Sequence, residues 1–207
     1  MQLMKKQGGT TLVEVLVAIA LSSIALLALV VAHATALRYT KMSQYRATAA
    51  LLATDIGERM RANRGQPAVT DGDGNGNDDE TTASDATGFY AGAYDYAQSF
   101  ESQQGATDAP ADQCNLAASA CTAAQIAAVD LAQWRRLVRS ELPEGAVYLL
   151  RRPAEAAMDV WVAWRDPATK NADEAPALAT ECPQGLVNRN DGGDDASVRC
   201  SYFRINL

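Results

Sequence analysis

Gly9-Thr10-Thr11-Leu12-Val13-Glu14-Val15-Leu16 opens the stretch on which the architecture turns. From Thr10 to Leu37 the chain is nearly all apolar, and Val15 to Ala32 contains no charge. About 20 helical residues cross about 30 Å of hydrocarbon, so this run is long enough to span a bilayer. Lys5 and Lys6 precede it. Positive residues stay on the cytoplasmic side, which predicts a cytoplasmic N-terminus and everything after Leu37 outside. A cleaved secretory signal is the simpler alternative, and Ala32-His33-Ala34 and Ala34-Thr35-Ala36 offer small-x-small cleavage sites. Against it, the apolar region exceeds the usual roughly 7–15 residues and Glu14 lies near its start.

Glu14 is the informative residue of the run. A carboxylate at membrane depth costs roughly 2.5–3.5 kcal/mol on insertion scales, so it calls for a partner or an interfacial position. A cut between Gly9 and Thr10 creates an α-amine four residues before Glu14. In a stack of helices, that amine on one subunit can pair with Glu14 of the next, relieving both charges in an apolar setting. The alternative is an uncleaved anchor whose Glu14 snorkels to the interface.

A short basic leader, a glycine, and a hydrophobic helix with Glu at the fifth position after it resemble the type III signal of type IV prepilins. The resemblance implies cleavage after Gly9 by prepilin peptidase and N-methylation of the new terminus. The family usually has Phe at that first mature position, where this chain has Thr10.

Helical periodicity continues beyond the apolar run. Tyr45, Ala49, Leu52, Ile56 and Met60 recur at steps of four, three, four and four, one face of an amphipathic helix. Asp55 and Arg59 are spaced as an i,i+4 pair on the wet side. No proline occurs before Pro67, and Gly65 is a plausible stop. A helix from Thr10 to about Arg64 is roughly 80 Å long at 1.5 Å per residue. Its first half suits lipid or a filament core, and its second half needs a domain over one stripe. The expected class is α+β, with the lollipop form of a pilin: a long N-terminal helix, transmembrane in its first half, packed on a C-terminal antiparallel sheet. The expected divisions are a leader at 1–9, a membrane or filament-core helix at 10–37, its amphipathic continuation at 38–64, and a globular domain at 65–207.

Charge follows the same division. The whole chain of 207 residues has a net charge of −7, but residues 1–66 carry eight Lys/Arg against three Asp/Glu, whereas residues 67–207 carry ten against twenty-two. A basic, apolar start on an acidic remainder suits a membrane-engaged stalk and argues against a general nucleic-acid binder. The single histidine, His33, lies inside the apolar run. Ser-His-Asp and Cys-His catalysis, and zinc sites built with histidine, are therefore excluded from the domain beyond it. No P-loop, nucleophile elbow or dinucleotide fingerprint is present either, so an enzyme is not expected.

Within the expected domain, Phe89, Tyr90, Tyr94, Tyr96 and Phe100 read as core and loop-packing aromatics. Thr122 with Gln125 fits a capping box. Ala127, Leu131, Trp134, Val138 and Leu142 then form an apolar stripe ended by Pro143 and Gly145, with Arg135, Arg136 and Arg139 on a solvated face. Ala146–Arg152, Met158–Arg165 and Ser197–Ile205 read as strands separated by turns, which favours an antiparallel sheet. In the second of these, Met158, Val160, Val162 and Trp164 share one face, against Trp161 and Ala163 on the other.

All four cysteines lie in the exported part, where disulfides are the default. Three pairings are open. The expected one joins Cys114 to Cys121, closing a small loop before the capped helix, and Cys182 to Cys200, tying residues 183–196 to the last strand. The latter also resembles the C-terminal disulfide loop of many pilins. A site using all four thiolates on a metal is disfavoured, since no C-x-x-C pair exists.

Asp71-Gly-Asp-Gly-Asn-Gly-Asn-Asp-Asp-Glu80 matches the start of an EF-hand loop. A calcium site there would use Asp71, Asp73, Asn75, Asn77 and Asp79. The twelfth position is Thr82 rather than a bidentate Glu, and a solvated acidic loop is the simpler account. Asn188–Asp195 is a poorer version of the same pattern. No cofactor is required.

The run Ala49 to Arg64, ending Met60-Arg61-Ala62-Asn63-Arg64, resembles the stalk end of PilV-type minor pilins. Asp130–Trp134 leading to Leu142-Pro143 and Gly145, and the tryptophan strand Val160–Arg165, are similar to that family as well. The resemblance implies a non-enzymatic subunit that helps initiate type IV pilus assembly within a priming or tip complex, supporting twitching and adhesion. Implied partners are prepilin peptidase, the major pilin, other minor pilins, a tip adhesin and the inner-membrane assembly platform. The implied location is the inner membrane, single-pass with a periplasmic domain, then the pilus at the cell surface. An I-type minor pseudopilin of type II secretion is the neighbouring alternative, and a signal-cleaved soluble calcium-binding or adhesive domain the more distant one.

Overall fold

Between Leu12 and Ala62 there is no proline, and Gly57 is the one glycine. No residue type in that run stops a helix. The computed structural model describes residues 11–65, 87–108, 114, 121–166, 181–187 and 197–207. It has a single helix across the run, α1, Leu12–Ala62. Packing divides the chain into two units, Met1–Ser43 and Gln44–Leu207, and α1 contributes to both. In the first unit every described residue except Met42 is exposed.

The second unit contains the end of α1, a 3-10 turn at Gly88–Ala91, a short α2 at Phe100–Gln104, α3 at Ala123–Glu141, and strands β1 (Ala146–Arg152), β2 (Ala157–Arg165) and β3 (Val198–Asn206). The strands form one antiparallel sheet in the order β1-β2-β3. The class is α+β, and the three strands lie within a residue of the spans read from β-propensity and alternation. The capping box of α3 is complete: Thr122 Oγ1 accepts from the Gln125 N–H at 3.3 Å, and the Thr122 N–H donates to Gln125 Oε1 at 2.8 Å.

One sheet face meets the helices. Met158, Val160, Val162 and Trp164 of β2 pack with Ala49, Leu52, Ile56 and Met60 of α1 and with Ala127, Leu131, Trp134 and Val138 of α3 in one buried cluster. Phe89 and Tyr94 complete it, fully buried. The approach of α1 to β3 is close: a Cβ on Gly57 would stand 3.2 Å from Ile205 Cγ2. The opposite face is covered by Phe100 and by Cys182, Leu186 and Val187, packed on Ala146, Tyr148, Ala163 and Cys200. Along that face Tyr148, Trp161 and Tyr202 are cross-strand neighbours, with ring centroids 5.9 and 5.0 Å apart.

One expectation about charge needs correction, and another is met and extended. Arg135 and Arg139 do not form a solvated face with Arg136. Both pair with Asp108, whose side chain is 1% exposed; Arg135 lies 2.5 Å from it and also stacks over the Tyr96 ring at 4.5 Å. A carboxylate this buried must be paired, and only Arg136 of the three remains exposed. Arg59 likewise does more than meet Asp55 at 3.0 Å on the helix surface: it bridges to Asp130 at 3.3 Å and Gln133 at 3.1 Å on α3.

Candidate functional site

The first unit is the candidate site, and its chemistry is set by what α1 exposes. Leu12, Val13, Leu16, Leu27 and Val31 are all more than half exposed. The helix is long and apolar enough to cross a membrane, and its most apolar window has no buried residue. The few hydroxyls are turned inward along the backbone. Ser22, Ser23, Thr35 and Thr40 donate to the carbonyls of Ala18, Ile19, Val31 and Ala36 at 2.8–3.0 Å. A hydroxyl satisfied by its own helix costs little in hydrocarbon, so these residues do not break the apolar surface.

Glu14 sits in the first turn of α1 and is exposed. Its backbone N–H donates to Thr11 Oγ1 at 3.4 Å, and the Val15 N–H donates to the Thr11 carbonyl at 3.3 Å. Thr11 therefore caps the helix start, a role the sequence reading missed although Thr11-x-x-Glu14 carries the capping-box spacing. A carboxylate in the first turn is favoured by the positive end of the helix dipole. Gly9 and Thr10, the expected processing positions, lie outside the described residues.

Residues 4–30 match the family model described as Prokaryotic N-terminal methylation motif. The chain carries a type IV prepilin-like methylation motif. The match takes in Gly9, Thr10 and Glu14, and with the apolar helix it points to a membrane-anchored chain. No curated protein matches the chain, and no solved structure matches it.

The remaining predicted site residues belong to the second unit. Cys114 is bonded to Cys121, with an S–S distance of 2.09 Å, and Cys182 to Cys200, at 1.99 Å. Asp71, Asp73, Asn75, Asn77 and Asp79 lie outside the described residues. Among the described residues, no group of three or more His, Cys, Asp or Glu is placed to hold a metal ion.

The string Met60-Arg61-Ala62-Asn63-Arg64 ties the end of α1 to the sheet domain residue by residue. Met60 is fully buried. Arg61 donates to the Asn206 carbonyl at 3.1 Å. Asn63 Nδ2 donates to the Ala123 carbonyl at 2.7 Å and to Tyr94 Oη at 3.1 Å. Tyr94 Oη donates to Asp130 at 2.8 Å. Burial pushes the Tyr94 phenol well above its ordinary pKa, and the neighbouring Asp130 adds to the shift. Arg64 Nη2 donates to Tyr90 Oη at 2.8 Å. Gly65, at φ +71°, then turns the chain where a Cβ would strike the Thr87 carbonyl oxygen at 2.2 Å.

Proposed function

We propose that this chain is a minor pilin of the PilV type that helps initiate type IV pilus assembly and forms part of the tip or priming complex, supporting twitching motility and adhesion. The observation that carries the reading is the methylation motif over residues 4–30, running directly into an exposed apolar helix. Prepilin peptidase removes residues 1–9, and Thr10 becomes the methylated terminus. The subunit waits in the inner membrane with its N-terminal end cytoplasmic and its domain periplasmic. On assembly α1 leaves lipid for the helix core of the filament, where Glu14 neutralises the terminal amine of the adjoining subunit. The chain is thus a substrate of processing rather than a catalyst, and assembly needs no cofactor. Its partners are the assembly platform, the major pilin, other minor pilins and a tip adhesin.

Intact-mass measurement and N-terminal sequencing of the protein from sheared filaments test this directly. The expected product begins at Thr10 and carries one methyl group; an intact start, or a cut beyond Leu37, refutes the reading. A Glu14→Val chain is expected to insert normally yet enter filaments about tenfold less, since an amine left unpaired in an apolar core costs more than the roughly 1.4 kcal/mol that tenfold represents. Loss of type II secretion with twitching intact, in a strain lacking the chain, assigns it to the pseudopilins instead.

A further inference from the structure

The apolar surface of the first unit ends in positive charge. From Val15 to Thr54 the chain has no Asp or Glu, and its only Lys and Arg there are Arg38, Lys41 and Arg46. Arg38 and Lys41 belong to the first unit. Both are exposed on α1, and Tyr39 between them is 72% exposed. Residues three apart on a helix share a side, so Arg38 and Lys41 make one cationic patch with the tyrosine ring beside it.

The depth of this patch follows from the run it terminates. Along the helix, Glu14 and Arg38 are separated by a rise of about 36 Å at 1.5 Å per residue. That exceeds the roughly 30 Å of hydrocarbon in a bilayer but falls short of the roughly 40–45 Å that includes the headgroups. A helix with Glu14 in one headgroup layer therefore brings Arg38 into the other. Helical side chains lean toward the N-terminus, which at this end carries the two cations back over the last apolar turn, to the level of the lipid phosphates. A tyrosine ring suits the same layer. Arg38 and Lys41 also have interactions within the protein. A guanidinium has five N–H donors and an ammonium three, so each can bind phosphate as well.

We infer that Arg38, Tyr39 and Lys41 form a collar that binds anionic phospholipid headgroups where α1 leaves the bilayer. Arg38 takes the phosphate through paired donors, Lys41 holds it as a point charge, and the absence of a carboxylate between Val15 and Thr54 leaves the field there positive. The inference rests on the membrane-anchored reading of α1 and is independent of a role in pili.

The test uses the full chain reconstituted in phosphatidylcholine vesicles, with Lys5→Gln and Lys6→Gln in every sample to remove the basic residues before the apolar run. Flotation first reads insertion. Spin-labelled phosphatidylglycerol and spin-labelled phosphatidylcholine then read which lipid the protein holds at its surface. Phosphatidylglycerol is expected to be preferred. Arg38→Gln with Lys41→Gln is expected to lower that preference about fivefold or more, fivefold being about 1 kcal/mol, the value of one basic residue near an anionic surface. Exchanging the two cations, Arg38→Lys with Lys41→Arg, is expected to keep it. Arg136→Gln, at an exposed position of α3, is expected to leave it unaltered. Thermal melting of each variant checks that the fold persists. Failure to float with the vesicles overturns the membrane reading and the collar together. Flotation with equal association of the two labelled lipids overturns the collar alone. So does a preference that survives Arg38→Gln with Lys41→Gln, or one that Arg136→Gln reduces as much.

Discussion

Asp159 concentrates the electrostatics of the sheet's second face in one side chain. Its carboxylate is 2% exposed and accepts from Arg152 at 2.7 Å, Arg204 at 2.9 Å and Tyr202 Oη at 2.7 Å. Burial alone raises its pKa, but the bonds from Arg204, Tyr202 and Arg152 outweigh that and hold it at about 2, below the ordinary 3.8. The folded state thus binds this proton less readily than the unfolded chain. Asp159 contributes stability that is complete above pH 3.8 and is lost as pH falls through about 2. Asp159→Asn is expected to cost about 2 kcal/mol at neutral pH, the value of charge-assisted bonds to a buried group. The variant should also show a flatter loss of stability across the same acid window. Urea unfolding of the full chain at a series of pH values reads both. Among β2 residues Asp159 is the one carboxylate, in a run that is otherwise apolar up to Arg165. Its burial was not read from the sequence, because its three donors come from residues 152, 202 and 204 and no local pattern joins those.

Elements are where the sequence spoke most clearly. The 3.6-residue period marked α1 and α3, the Thr122–Gln125 spacing marked a helix start, and two-residue alternation placed Met158, Val160, Val162 and Trp164 on one face. Each signal is short-range, since a helix or strand presents a face at a fixed period whatever it packs against. Edge protection is different. Gln103 in α2 imitates a neighbouring strand for Val147, forty-four residues along the chain, and nothing in its own neighbourhood announces that. Gln103→Leu keeps the volume and removes the bonds to the Val147 N–H and carbonyl, with those to the Gln98 and Ser99 carbonyls. It is expected to cost about 3 kcal/mol, because a buried N–H and C=O lose their partners together, and to promote edge-to-edge association. Urea midpoints and sedimentation velocity of the full chain check the two effects.

At the scale of the whole molecule, covalent and charge organisation divide the work. Cys182–Cys200, with a sequence separation of 18, joins a segment that covers the sheet to its edge strand, whereas Cys114–Cys121 spans a separation of 7. Loop-closure entropy predicts a loss of about 3 kcal/mol for opening the first and about 2.5 kcal/mol for the second. Cys182→Ser with Cys200→Ser is therefore expected to lower the urea midpoint more than the matching pair at 114 and 121. Reducing agent should abolish the differences among the three forms. Arg59, reaching Asp55 on its own helix and Asp130 and Gln133 on α3, holds α1 to α3 at the same scale.

Periodicity, capping spacing and the order of glycine, carboxylate and apolar run were enough to specify the long helix, the α+β class and the methylation motif, because each depends on neighbours within a turn or two. Which face of each charged residue meets water was settled by packing. Arg135 and Arg139 read as solvated until Asp108, distant in sequence, is brought beneath them, and the cover that Gln103 gives the β1 edge exists only once α2 and the strands are assembled. A charge states how much burial would cost; the fold supplies, or withholds, the partner that offsets it.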